Sequence, residues 1–206
     1  MDTVIWLLVG GVATALMCAG LVLTRSRHGH LSLDSTVGVQ KFHTAPTPRI
    51  GGVAVYLGLM VVLGLVPYSV RALLMPMVVA ALPAFVTGLW EDLTKRVSVR
   101  KRLTATFLSG VLAWWLMDVS LTRVNVPVAD WLLASFLPVS VLFTAFAVCG
   151  ASNAFNIIDG FNGLAGGVAL IALAALALIA AQAGDHTVVL LCLAIAGVTL
   201  GFMAVN

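Results

Sequence analysis

The chain has 206 residues, of which 61% are hydrophobic and only 9% are charged. Soluble globular domains carry charge on about a quarter of their residues, so this composition excludes a soluble enzyme, a disordered chain and a small disulfide-stabilised secreted module. The net charge of +3 comes from basic residues in short loops between apolar stretches, which favours membrane-side loops over a nucleic-acid partner. The sequence therefore predicts an integral membrane protein.

Seven apolar stretches are candidates for membrane-spanning helices, because about 20 residues at a rise of 1.5 Å cross the hydrocarbon core. They lie at about 4–23, 50–66, 72–90, 103–119, 132–152, 165–183 and 187–205. Pro76 and Pro83 are expected to kink the third stretch, which neighbouring helices can accommodate. The predicted fold is an all-α polytopic helix bundle that forms a single transmembrane domain over residues 1–206.

Basic residues are distributed unequally between the two sides of this predicted bundle. Two lie in loops on one side, namely Arg71 and Arg123. Nine lie in loops on the other side, namely Arg25, Arg27, Lys41, Arg49, Lys95, Arg96, Arg100, Lys101 and Arg102. Lysine and arginine concentrate in cytoplasmic loops. The N-terminus is therefore predicted to lie outside, and the loops at 24–49, 91–102 and 153–164 in the cytoplasm.

Three polar clusters fall on the predicted cytoplasmic side. The first is the segment at 43–52, which contains Thr47 and Arg49. The second is the acidic pair Glu91 and Asp92 with Lys95, and the third is a series spaced by three residues, namely Asn153, Asn156, Asp159 and Asn162. Carboxylate and amide oxygens are the ligands that Mg²⁺ prefers, and several glycines near the series allow close approach of a ligand. Convergence on one side predicts a single site at the cytoplasmic membrane boundary.

Each cluster also has a purely structural interpretation. The Asn/Asp series can be a polar turn between helices, the acidic pair can be a solvated pair beside five cations, and Arg49 can be a cytoplasmic anchor. The cysteines are odd in number and lie in apolar stretches, so they are interpreted as buried small side chains rather than a disulfide or metal framework: Cys18, Cys149 and Cys192.

The run from Asn153 to Gly167, the segment Thr47-Pro-Arg-Ile-Gly-Gly52 and the pair Glu91-Asp92 resemble, in order and spacing, the polyprenyl-phosphate N-acetylhexosamine-1-phosphate transferases of glycosyltransferase family 4. Asn162 is more similar to the O-antigen and teichoic-acid branch than to the peptidoglycan branch. Glu91 departs from the aspartate that is common in the family. Because family members continue with further cytoplasmic loops, the resemblance implies that the chain is about the N-terminal two-thirds of such an enzyme.

The resemblance implies transfer of a sugar 1-phosphate from a UDP-N-acetylhexosamine to undecaprenyl phosphate, with release of UMP. The implied setting is the cytoplasmic face of a bacterial inner membrane, where the reaction initiates a cell-envelope polysaccharide such as lipopolysaccharide. The two substrates and the lipid bilayer are the expected partners, no nucleic acid is expected, and a homodimer is left open. Mg²⁺ is the implied cofactor, with Mn²⁺ as an alternative.

The resemblance also implies roles for individual residues. Asp92 positions the lipid phosphate or acts as its base, with Glu91 in support, and Asp159 completes the catalytic set. Asn156 and Asp159 are the implied metal ligands. The residues implied to bind the substrates or their phosphates are Thr47, Arg49, Lys95, Asn153, Asn162, Gly163 and Asn206. A double displacement with Asp92 as covalent nucleophile stays open beside direct transfer.

A transporter or an inactive membrane remnant is the rival interpretation. Transporters place polar groups near the bilayer midplane on broken helices, whereas the apolar stretches here carry almost no ionisable residues. This distribution argues against transport, while an inactive remnant stays open.

Overall fold

The computed structural model describes residues 2–24, 50–159 and 163–205, and within these ranges it contains helices and no strand. The described residues form nine helices: α1 (Asp2–Leu23), α2 (Gly51–Leu65), α3 (Tyr68–Ala80), α4 (Leu82–Thr94), α5 (Val99–Met117), α6 (Pro127–Ser135), α7 (Leu137–Ile158), α8 (Leu164–Gln182) and α9 (His186–Met203). The predicted all-α fold class is confirmed.

Four of the described helices are long and apolar enough to cross a membrane, namely α1 from Val4 onward, α7, α8 and α9. A fifth candidate is the pair formed by α3 and α4, which is bent by 48°, and α2 is a shorter apolar helix. These helices make the chain a multi-pass membrane protein. The count of seven spans and the outward orientation of the N-terminus stay predictions.

The break between α3 and α4 lies directly before the second of the two prolines. Pro83 occupies the first turn of α4, where its missing N–H is tolerated, whereas inside a continuous helix its ring would clash with a carbonyl four residues earlier. Pro76 lies within α3 without ending it. The predicted kink is therefore found at Pro83.

The chain divides into two compact units, which are described separately. The first unit contains Met1–Met75, Asp92–Thr94 and Ile158–Asn206, and the second contains Pro76–Glu91 and Lys95–Ile157. The assignment of residues 1–206 to a single domain stays a prediction.

Close backbone contact between α1 and α9 organises the first unit. These two helices also pack against α2, and α9 packs against α8. A Cβ atom at Gly197 would overlap the carbonyl oxygen of Leu7, and one at Gly201 would overlap the carbonyl oxygen of Gly11. In a membrane, helix pairs gain van der Waals contact when small residues let the backbones approach, so these glycines set the distance between α1 and α9.

Arg71 of α3 reaches back to the C-terminal end of α2. Its Nε donates to the carbonyl oxygen of Leu63 at 3.0 Å, and its Nη2 donates to those of Gly64 at 2.9 Å and Val66 at 3.4 Å. The last carbonyls of a helix have no intrahelical partner, and a cation there also interacts favourably with the helix dipole. One of the two basic residues on the predicted outer side thus has a structural role.

Replacing Arg71 by alanine is expected to lower the free energy of unfolding by about 1 kcal/mol, because the C-terminal carbonyls of α2 lose their charged donor. Thermal unfolding of the purified protein in detergent measures the change. Arg123→Ala is the matched control, since the Arg123 guanidinium contacts the side chain of Asn125, two residues away, at 3.0 Å. Equal unfolding midpoints for the two variants would contradict the capping role.

Side-chain hydrogen bonds and one glycine join α4, α5 and α7 in the second unit. Ser109 of α5 accepts a hydrogen bond from the backbone N–H of Ala84 at 3.2 Å, near the start of α4, where N–H groups lack helical partners. A Cβ atom at Gly110 would lie 2.6 Å from the Cα atom of Ala145 in α7. These contacts hold the three helices that carry the polar residues of this unit.

Candidate functional site

The polar residues of the second unit lie where α4 ends and α5 begins. Glu91 is in the last turn of α4, and Ser98 caps α5 by accepting a hydrogen bond from the backbone N–H of Lys101 at 3.4 Å. This cap satisfies one of the free N–H groups at the start of a helix. The short connection from Lys95 to Ser98 brings the end of α4 close to the first turns of α5.

The side chain of Arg102 in α5 contacts residues of two other helices. Its Nη1 forms an ion pair with Oε1 of Glu91 at 3.5 Å, and its Nε donates to Oδ1 of Asn153 in α7 at 3.3 Å. The exposed fractions of the Arg102 and Glu91 side chains are 24% and 36%. The guanidinium therefore links the acidic pair to the first member of the Asn/Asp series.

The amide group of Asn153 is also bonded inside the protein. Its Nδ2 donates to the carbonyl oxygen of Cys149 at 2.8 Å and to Oγ1 of Thr106 at 3.1 Å. The hydroxyl of Thr106 can in turn donate to the carbonyl oxygen of Arg102 at 3.0 Å. Because both ends of the Asn153 side chain are occupied, the geometry favours a fixed orientation, and the predicted contact of Asn153 with substrate stays a proposal.

The Asn/Asp series begins inside a helix rather than in a loop. Asn153 and Asn156 lie on α7, which continues to Ile158, so the first six residues of the predicted cytoplasmic segment 153–164 are helical. Asparagine has only a modest cost in a helix, and α7 extends by more than a turn past the predicted end of the apolar stretch at 152. Asn156 is exposed on this last part of α7.

Asp159 follows the last residue of α7 and is exposed. Partial loss of hydration raises the pKa of its carboxyl group above the ordinary value for aspartate. A raised pKa means that a proton competes more strongly with a cation for this carboxylate. Within the described residues, no three side chains of His, Cys, Asp or Glu come together as a metal-binding group.

Lys95 and Gly163 occupy backbone positions at helix ends. Lys95 ends α4 in the left-handed region, with φ of 55°, and its backbone N–H bonds to the carbonyl oxygen of Glu91 at 2.8 Å. Gly163 precedes α8 with φ of 78°, a conformation that glycine adopts at little cost. Gly163 thus has a structural reason for being glycine, and its contact with substrate stays a prediction.

The described residues bring together some of the predicted site and leave other parts untested. Glu91 and Asn153 share one guanidinium in the second unit, whereas Asp92 and Asp159 belong to the first unit. Four predicted site residues lie outside the described residues, namely Thr47, Arg49, Asn162 and Asn206.

Arg102, Thr106 and Cys149 of this network are not among the site residues that the sequence predicts. The basic run predicts only a cytoplasmic loop for Arg102, and the apolar stretch predicts a buried small side chain for Cys149. A usable signal was present, since Arg102 and Thr106 are four residues apart on α5, as are Cys149 and Asn153 on α7. Residues with this spacing share one face of a helix, so two such pairs can form a polar contact between helices.

Comparison with known sequences identifies relatives of the chain. Residues 74–206 match the family described as "Glycosyl transferase family 4". The undecaprenyl-phosphate alpha-N-acetylglucosaminyl 1-phosphate transferase of Escherichia coli O157:H7 is 28% identical over 167 residues, covering 81% of this chain and 45% of the relative. The enzyme of the same name from Salmonella typhi is 29% identical over 167 residues, with the same coverage.

A second kind of relative is the phospho-N-acetylmuramoyl-pentapeptide-transferase of Clostridium perfringens (strain 13 / Type A). It is 26% identical over 127 residues, covering 58% of this chain and 40% of the relative. The chain thus spans less than half the length of the curated relatives it matches. The family match covers more than half of the 206 residues and includes the acidic pair, Arg102 and the helix that carries Asn153. The chain therefore belongs to glycosyl transferase family 4.

Proposed function

We propose that the protein transfers an N-acetylhexosamine 1-phosphate from a UDP-sugar to undecaprenyl phosphate, with release of UMP, as the initiating step of a cell-envelope polysaccharide. The observation that carries the proposal is the link that Arg102 makes between Glu91 of the acidic pair and Asn153 of the Asn/Asp series. Glu91 and Asn153, which are 62 positions apart in the chain, thereby meet in one unit. The names of the relatives, which are phosphosugar transferases, support the same reaction class.

The main chemical demands of this reaction are to bring two anions together and to stabilise the charge that moves to UMP. The attacking group is a phosphate monoester, which is largely ionised at neutral pH because its second pKa is about 6. Catalysis of phosphoryl transfer therefore depends mainly on positioning and electrostatic stabilisation. We assign Asp92 to hold the lipid phosphate or to accept its remaining proton, with Glu91 beside it in α4. Direct transfer and double displacement through Asp92 both fit these assignments.

Asn156 and Asp159 are the residues that would hold a divalent cation. Both are exposed and offer the amide and carboxylate oxygens that Mg²⁺ prefers, and Mg²⁺ is commonly held by one or two protein ligands together with water and phosphate oxygens. When bound, such an ion neutralises phosphate charge. Lys95, Arg49 and the glycine at 163 are assigned to contacts with the nucleotide or the lipid phosphate.

The proposed site faces the cytoplasm of a bacterial inner membrane. The supporting argument is the excess of basic residues in the loops at 24–49 and 91–102, since such loops are retained in the cytoplasm. A UDP-sugar donor is a charged cytoplasmic metabolite, so a transferase that uses it needs its polar residues on that side.

Cysteine labelling is expected to place Arg96 in the cytoplasm and Asn125 on the opposite side. Arg96 lies between α4 and α5, and Asn125 lies between α5 and α6, so the two positions bracket one helix. Single Arg96→Cys and Asn125→Cys variants, in a background without Cys18, Cys149 and Cys192, are treated with a membrane-impermeant maleimide in intact cells. Labelling is expected at 125 and, for 96, only after the cells are opened. Labelling of Arg96→Cys in intact cells would reverse the proposed orientation.

The reaction is tested by UMP release from membranes that contain the protein. UDP-N-acetylglucosamine and UDP-N-acetylgalactosamine are supplied separately, with undecaprenyl phosphate and Mg²⁺. UMP release that requires the lipid phosphate, with the sugar phosphate recovered in the lipid fraction, is the expected result. Absence of lipid-dependent UMP release with both donors, from protein that retains its helical circular dichroism, would contradict the proposal and favour an inactive remnant.

A further inference from the structure

Arg102 differs from the basic residues beside it in α5. Arg100 and Lys101 are exposed, whereas the Arg102 side chain is 24% exposed and turned toward Glu91 and Asn153. A cation that served only to orient the protein in the membrane would gain nothing from two side-chain partners on different helices. The planar guanidinium offers five N–H donors in a rigid fork, which suits it to hold two acceptors at once.

We propose that Arg102 is a positioning residue that holds Glu91 of α4 and Asn153 of α7 in one fixed arrangement. The effect of Arg102 on turnover rests on the proposed function, while the arrangement itself does not. The Nε–Oδ1 distance to Asn153 is 3.3 Å and the Nη1–Oε1 distance to Glu91 is 3.5 Å. Asp92 follows Glu91 in α4, and Asn156 lies one turn beyond Asn153 in α7. We therefore expect a shift of Glu91 or Asn153 to move the residue of the proposed site that lies next to it on the same helix.

The hydrogen bonds that the amide nitrogen of Asn153 donates fix the orientation of this side chain toward Arg102. Its Nδ2 donates to the carbonyl oxygen of Cys149 and to Oγ1 of Thr106, so its Oδ1 faces the guanidinium. A rotated amide would place N–H donors against the N–H donors of Arg102, and it would leave the carbonyl oxygen of Cys149 without this donor. The network therefore favours one rotamer of Asn153, and Arg102 contributes to that preference.

The first experiment tests the arrangement without substrate. Arg102→Gln, Asn153→Ala and the double variant are compared by thermal unfolding in detergent. If the two side chains are coupled, the double variant should lose about 2–4 °C less than the sum of the two single losses. Additive losses would overturn the proposal. Should Arg102→Gln fail to fold, Arg102→Lys, which retains the charge but lacks the fork, takes its place in the same cycle.

The second experiment tests the effect on turnover by measuring kcat and KM for UMP release. Arg102→Gln is expected to lower kcat about 10²-fold, because small misplacements of reacting groups have effects of this size, and to leave both KM values within about threefold. Arg102→Lys should recover part of kcat. Lys101→Gln, which removes the neighbouring exposed cation, is the matched control and should stay within about threefold of the unsubstituted protein in both constants.

The outcomes separate the positioning role from the alternatives. A raised KM with unchanged kcat would overturn it in favour of direct contact between Arg102 and substrate phosphate. Unchanged kcat and KM, together with coupled unfolding, would overturn the effect on turnover and leave a structural role alone. If the unsubstituted protein releases no UMP, the proposed function fails, and the unfolding cycle still decides whether the side chains of Arg102 and Asn153 are coupled.

Discussion

Replacing Asp92 by asparagine is expected to lower the rate of UMP release by about 10²–10⁴-fold, the usual contribution of a group that positions or accepts a proton in the transition state. Asp92 is partly buried in the last turn of α4. The substitution keeps the size of the side chain and removes its negative charge and basicity, so the fold should be retained. Asp159→Asn is expected to lower the rate comparably, because it removes the carboxylate assigned to the divalent cation.

The rates are measured with undecaprenyl phosphate and the better UDP-sugar donor, and they are normalised to folded protein. Asp118→Asn is the matched control. Asp118 ends α5 in the left-handed region with φ of 52°, where asparagine is well tolerated, so this variant should keep its activity. Turnover near that of the unsubstituted protein for both Asp92→Asn and Asp159→Asn would contradict the assigned roles.

Replacing Gly197 by alanine is expected to lower the free energy of unfolding by about 3 kcal/mol, at the upper end of the usual range for overpacking. The added methyl group would overlap the carbonyl oxygen of Leu7. Backbone cannot move aside as the end of a flexible side chain can, so α1 and α9 must separate. The corresponding decrease in the midpoint of thermal unfolding is about 6–12 °C for a chain of this size.

Gly20→Ala in α1 is the control for the change in helix propensity. A Cβ atom at Gly20 meets nothing within 4 Å, so this variant should be more stable by about 0.5–1 kcal/mol, the usual gain from replacing a helical glycine. The two variants should therefore shift the midpoint in opposite directions. A midpoint for Gly197→Ala that equals or exceeds that of the unsubstituted protein would refute the close contact between α1 and α9.

The positions of the most apolar helices could be predicted because their hydrophobic runs are continuous. The predicted stretches at 165–183 and 187–205 correspond to α8 and α9, which are bounded by polar residues and by the turn at Gly184. Prediction was poorer where helices extend beyond the apolar run or break within it. The structure begins α5 at Val99, four residues before the predicted 103, because Ser98 caps a first turn rich in cations.

The predicted stretch at 132–152 also contains a helix break that its hydrophobic pattern does not reveal. It contains the end of α6 and most of α7, separated by Phe136 in an extended conformation. Pro138 lies in the first turn of α7, where its fixed φ suits a helix start and its missing N–H has no cost. Hydropathy alone does not register this break, since both sides of it are apolar.

For the candidate site, the sequence by itself predicted which residues would carry the chemistry. Glu91, Asp92, Asn153, Asn156 and Asp159 stand out because polar groups are rare in this composition, and their order and spacing indicate the family. Tertiary structure alone decided how two of them are linked. Arg102 lies 11 positions from Glu91 and 51 from Asn153. The four-residue spacings on α5 and α7 mark polar helix faces, but they do not show which of these side chains meet. Only the packing of α4, α5 and α7 brings their side chains within hydrogen-bonding reach.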